Sequence, residues 1–136
     1  MADLNAESAI LQYWNEIVTG GITVGKWIRM LCEVILQGLS EHKWFWSQKL
    51  ADNAIGFIER YCHHYKGKLA PQRIKLSLWE RFVISLIFGI VDDAARRQFT
   101  EVLLVIGRKM GKTLLVAAIA TYMTYAAGEY GSEIYF

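Results

Sequence analysis

Val105-Ile-Gly-Arg-Lys-Met-Gly-Lys-Thr113 sits between an aliphatic run, Glu101-Val-Leu-Leu-Val-Ile106, and the alanine-rich stretch Leu114 to Ala127. The segment approaches the phosphate-loop pattern G-x-x-x-x-G-K-[ST], which joins a strand to a helix. Each residue type in that pattern has a job. Glycines let backbone N–H groups close around phosphate oxygens, and the helix N-terminus adds partial positive charge. The lysine reaches the β- and γ-phosphates, and the hydroxyl residue ligates Mg²⁺. Gly111, Lys112 and Thr113 match the pattern. The first glycine does not: Ile106 holds its usual place and Gly107 comes one residue late. Arg108 and Lys109 add cations inside the loop, next to Met110. Arg108 is placed to meet charge developing on a terminal phosphate, as an arginine finger does; the plainer reading is a solvated surface arginine.

Working outward, the aliphatic run reads as a short buried strand of the parallel kind. Leu114 to Ala127 reads as a helix, Gly128, Gly131 and Ser132 as a turn, and Glu133 to Phe136 as a second strand. Strand, turn, helix and strand make a βαβ unit. Upstream, Leu78 to Ile90 is nearly all-round apolar and reads as a buried helix. Asp92 to Arg97 is a polar connection. The first half is helical by its periodicity. Ile10, Leu11, Trp14, Ile17 and Val18 recur at helical spacing within Asn5 to Val18, and Gly20-Gly21 stops that run. A second helix follows Thr23 as N-cap, with Trp27, Ile28, Leu31, Val34, Ile35 and Leu39 on one face. A third runs from about Ser40 to Tyr65. Lys66, Gly67, Lys68 and Pro71, the single proline, break it.

Composition narrows the function classes. Hydrophobic residues are 54% of the chain, which excludes a disordered tail. A formal net charge of +2 excludes a strongly basic nucleic-acid-binding tail but permits a local basic patch. Two cysteines, Cys32 and Cys62, make no disulfide scaffold and fit a reduced compartment. The N-terminus lacks the basic start and apolar core of a signal peptide. The uncharged stretch Thr113 to Gly128 approaches membrane-spanning length, but threonines, tyrosines and alanines dilute its hydrophobicity, so no span is expected.

Other constellations compete with the loop for attention. Phe82 to Val91 followed by Asp92-Asp93 imitates a Mg²⁺-binding acidic strand end, but its length favours a helix ending in an acidic turn. Cys62-His63-His64 with His42 lacks the paired spacing of a zinc site. Trp44, Phe45 and Trp46 beside His42 and Lys43 fit packing better than base stacking. Arg96, Arg97, Arg108 and Lys109 are the densest basic region, facing DNA, a neighbouring subunit or nucleotide.

Arg108-Lys-Met-Gly-Lys-Thr113 resembles the phosphate loop of the large subunit of tailed-phage terminases, and much of the rest agrees in order and spacing. Arg97-Gln-Phe99 with Glu101 is similar to that family's approach to the first strand. Leu78-Trp79 and Phe88-Gly89 resemble its segment near the adenine, and Tyr65-Lys-Gly-Lys-Leu69 its lead-in. Gly128-Glu129-x-Gly131 and the run from Glu133 resemble its turn into the second strand. Tyr13 to Gly21, with Lys26-Trp27, resembles its N-terminal helical region. One residue departs: Glu80 stands where the family has glutamine. A carboxylate accepts a hydrogen bond from the adenine amino group but cannot donate to a ring nitrogen.

The resemblance implies an α/β protein: a helical N-terminal region over 1–70, then the beginning of a P-loop NTPase parallel sheet over 71–136, truncated inside the ATPase domain. It implies ATP and Mg²⁺ as cofactors. Gly107 and Gly111 would shape the loop with Lys109 and Met110, Lys112 and Arg108 would act on the phosphates, Thr113 would ligate the metal, and Trp79 and Glu80 would face the adenine. Implied partners are double-stranded phage DNA, the terminase small subunit, the portal of the prohead and further copies in a ring, in the host cytoplasm and away from membrane. The full-length family is also an endonuclease, and this piece alone is expected to be inactive as an ATPase. The rivals are another P-loop NTPase, such as a helicase, and a non-enzymatic interaction module with a degenerate loop.

Overall fold

A computed structural model gives the fold and describes residues 4–128 together with Tyr135. Helix α1 spans Ala9–Thr19. The buried Ser8 caps it, its hydroxyl accepting from the Leu11 N–H at 3.3 Å. Helix α2 spans Lys26–Ser40, with Gly25 rather than Thr23 as its N-cap. The third helix is shorter than its periodicity suggests. It begins at Gln48 and ends at Tyr61, as α3. Before it lies a two-residue strand, β1, Phe45–Trp46. Ser47 draws the boundary, its hydroxyl accepting from the Leu50 N–H at 3.4 Å. Helix α4 spans Leu78–Gly89 and runs directly into β2, Ile90–Val91. Helix α5 spans Lys112–Tyr125.

The sheet is antiparallel: Phe45 pairs with Val91 and Trp46 with Ile90. The chain then turns back on itself, with Asp92 N–H donating to Arg96 O at 2.9 Å and Gln98 N–H to Ile90 O at 3.0 Å. The polar connection is therefore a tight return that flanks β2.

The expected parallel sheet is not what the described residues form. Glu101 to Ile106 carries no ladder, and Leu103 and Val105 are 89% and 83% exposed. The reason is that a strand exists through the neighbour that takes its N–H and C=O groups. The aliphatic run has no such neighbour among the described residues. Glu133 to Phe136, the other expected strand, lies outside them apart from Tyr135.

Two hydrophobic clusters share α4. One gathers Ile10, Tyr13, Ile17, Cys32, Ile35, Trp46 and Phe82, from α1, α2, β1 and α4. The other gathers Ile58, Ile74, Leu76, Ile84, Phe88, Leu115 and Tyr122, joining α3, α4 and α5. Tyr13 stacks on Phe82 with centroids 4.6 Å apart, and Tyr122 meets Phe88 edge-on at 4.9 Å. Burial pushes the Tyr122 phenol above its ordinary pKa and that of Cys32 up to about 11.

The seam between α4 and β1 leaves no room for a side chain at Gly89. A Cβ there would lie 2.8 Å from Trp46 Cη2 and 3.1 Å from the Ala51 Cβ. Gly89→Ala should therefore destabilise the fold by about 1–3 kcal/mol, the usual cost of overpacking. Urea unfolding checks this, with a lowered midpoint at unchanged slope as the expected result.

Candidate functional site

The site is the turn that starts α5. Gly111 is the N-cap residue at φ 76° and ψ 6°, a left-handed conformation that a residue without Cβ adopts freely. Lys109 shares that region at φ 61°. No side chain caps α5, and its first hydrogen bond is Leu115 N–H to Gly111 O at 3.0 Å. The amides of Lys112, Thr113 and Leu114 are thereby left for an outside acceptor, with the positive end of the helix behind them. Gly107 through Thr113 are all exposed. Among the described residues no ion pair holds Arg108, Lys109 or Lys112. A cleft of about 310 Å³ opens beside the turn, lined by Leu104, Lys112, Thr113, Val116 and Ala117. The donor set suits a polyphosphate: uncapped amides, exposed cations and a hydroxyl at the second helical residue.

Glu80 comes to this turn from another part of the chain. Its Oε2 accepts from the Ser77 N–H at 2.8 Å and from the Ser77 hydroxyl at 2.7 Å, which ties off the start of α4. Its Oε1 points the other way and lies 3.8 Å from the position of a Cβ on Gly111. The family resemblance implies Glu80 at the adenine end; the structure sets it beside the glycine that begins α5, where it also serves as a helix cap. Trp79 is half-buried and packs against both hydrophobic clusters. The structure thus brings Glu80 to the loop and gives Trp79 a packing role.

The rival acidic site is already committed elsewhere. Asp92 Oδ1 accepts from the N–H groups of Ala94 and Arg96, each at 2.9 Å, and Oδ2 from the Arg96 Nε at 2.9 Å. The Arg96 N–H, more than any other group, holds the Asp92 carboxyl below the ordinary aspartate range. Arg96 is therefore ion-paired, and Arg97 lies 5.9 Å from the Phe88 ring centre. Of the basic residues singled out in the sequence, Arg108 and Lys109 have no ion-pair partner among the described residues. Among the described residues no three potential metal ligands cluster, and no helix is long and apolar enough to cross a membrane.

Residues 78–136 match the family model for the terminase large subunit, ATPase domain. Over this segment the chain is similar to the ATPase domain of terminase large subunits. The match begins with the first residue of α4 and takes in Glu80, the loop and all of α5, so the parts that meet at Gly111 lie inside the matched segment. No curated protein and no solved structure matches the chain.

Sequence reading missed the double duty of Glu80. Its signal was present, since Ser77 followed by Glu80 is a capping spacing ahead of an apolar run. Glu80→Ala should cost about 1 kcal/mol through the lost cap, whereas Glu80→Gln, which keeps an accepting oxygen, should cost less. Thermal unfolding of the two variants checks the order.

Proposed function

We propose that the chain supplies the nucleotide-binding part of an ATP-driven motor that packages double-stranded DNA into proheads. Residues 1–70 form a helical N-terminal region and residues 71–136 the start of the ATPase domain, whose parallel sheet recruits the run 101–106. The observation that carries this reading is the terminase match over 78–136, with an uncapped helix N-terminus and an unpaired lysine at its loop.

Lys112 would hold the β- and γ-phosphates as a point charge, and the amides after Gly111 would take the remaining phosphate oxygens. Arg108 would neutralise charge on the terminal phosphate, and Lys109 and Met110 would border it. Gly107 would help to shape the loop. Thr113 would be the protein's hydroxyl ligand to Mg²⁺, which when bound supplies charge neutralisation between the phosphates. Glu80, with its carboxylate toward the loop, would disfavour a second anion there unless a cation intervenes. Trp79 would form the apolar wall nearest the base. In the whole protein, hydrolysis would drive the duplex forward, a nuclease domain would cut it, and the small subunit, the portal and further copies in a ring would be the partners, in the host cytoplasm.

Calorimetry with MgATP tests the reading directly. Lys112→Ala should weaken binding by about 10–100-fold, the loss of a charged hydrogen bond, with the fold unchanged by circular dichroism. Equal affinity in the two proteins would end the phosphate-loop assignment and with it the motor.

A further inference from the structure

Between Glu59 and Glu80 the sequence holds no carboxylate, yet it carries Arg60, Lys66, Lys68, Arg73 and Lys75. The structure turns this stretch into a fixed strap. His63 and Arg73 form an antiparallel bridge. His64 N–H donates to Gln72 O at 2.9 Å, and Ile74 N–H to Cys62 O at 3.0 Å. Ile74 and Leu76 are buried in the cluster beneath, and Leu76 N–H donates to Glu59 Oε1 at 3.2 Å. Because successive residues of such a chain point to opposite sides, burying Ile74 and Leu76 turns Arg73 and Lys75 outward, and both are exposed.

Lys66 and Lys68 stand exposed on the same strap, at its turn. Among the described residues none of Lys66, Lys68, Arg73 and Lys75 is ion-paired. The two carboxylates that flank the stretch in sequence have partners of their own: Glu59 takes the Leu76 amide and Glu80 the Ser77 amide and hydroxyl. Among the described residues these four cations are uncompensated, and the frame that carries them is held by backbone hydrogen bonds.

We infer that the outer face of this strap is a docking surface for the phosphate backbone of duplex DNA. The choice of duplex DNA rests on the packaging reading above; the anion-binding face rests on the strap itself. Two observations favour backbone contact over stacking on unpaired bases. Lys66 Nζ already lies 5.3 Å over the Tyr65 ring, so that face is in use. Arg73 and Lys75, alternate residues of an extended chain, are about 6.6 Å apart, close to the axial rise of two nucleotides on one strand. Such contacts position a duplex without reading its sequence.

The test is fluorescence anisotropy of a short, mixed-sequence DNA duplex against the whole chain, titrated with salt and without nucleotide. The variant carries Lys66→Ala, Lys68→Ala, Arg73→Ala and Lys75→Ala together; all four side chains are on the surface, and circular dichroism checks the fold. Four phosphate contacts contribute about 100-fold of affinity loss between about 50 and 200 mM salt, so the variant's salt dependence should be flatter by that factor. The control, Lys43→Ala with Lys49→Ala, should keep the wild-type slope. An unchanged slope in the fourfold variant overturns the proposal. So does tighter binding of a single strand of the same length, or a loss of MgATP affinity with duplex binding intact, which would assign the strap to nucleotide. Failure of the wild-type chain to bind MgATP would instead sink the motor reading and leave the strap's duplex contact to be judged on its own slope.

Discussion

Burial of α4 on nearly every side is the constraint on which the rest depends. Phe82 and Ile90 turn into one hydrophobic cluster, Ile84 and Phe88 into the other, and Trp79 and Val83 border both. A helix so apolar leaves little beyond Arg81 to solvent, so α1 and α3 pack onto it and α5 closes over Phe88 through Tyr122. The position of every functional element follows from this one rod. Its N-terminal end carries Glu80 to the turn at Gly111, and its C-terminal end becomes β2 without a break.

The loop owes its form to a different balance. Gly111 in the left-handed region lets the chain reverse from the aliphatic run into α5 while leaving the first amides of the helix uncapped. In a region of this kind an unfilled cap is a cost unless water or a ligand fills it. The exposed cations around it work in the same sense, gathering positive potential where the helix dipole already ends. Glu80 opposes them. Its carboxylate beside Gly111 is the feature that most distinguishes this site from a loop flanked by an amide side chain.

The charges of the chain are partitioned by the fold and not by their density in the sequence. Arg96 and Arg97 are adjacent and look like the basic centre, yet Arg96 is spent on Asp92 and Arg97 sits against Phe88. The lysines and arginine of the 62–76 strap are spread thinly in sequence but have no ion-pair partner among the described residues, and the buried Ile74 and Leu76 turn Arg73 and Lys75 outward.

Local pattern alone determined most of the helices, the break near Pro71 and the glycine-lysine-threonine turn ahead of an alanine-rich helix. Periodicity, caps and turn residues act over a few positions, so they are legible without neighbours. The limits of that legibility are equally local: Ser47 as a cap was hidden inside an apparently continuous helical run, and β1 with it. Only the tertiary structure decided that Glu80 meets Gly111, that Asp92 is committed to Arg96, and that Glu101 to Ile106 stands without a ladder among the described residues. Those outcomes depend on which distant segments the packing around α4 brings side by side, and a strand, an ion pair or a shared site exists only once its partner has arrived.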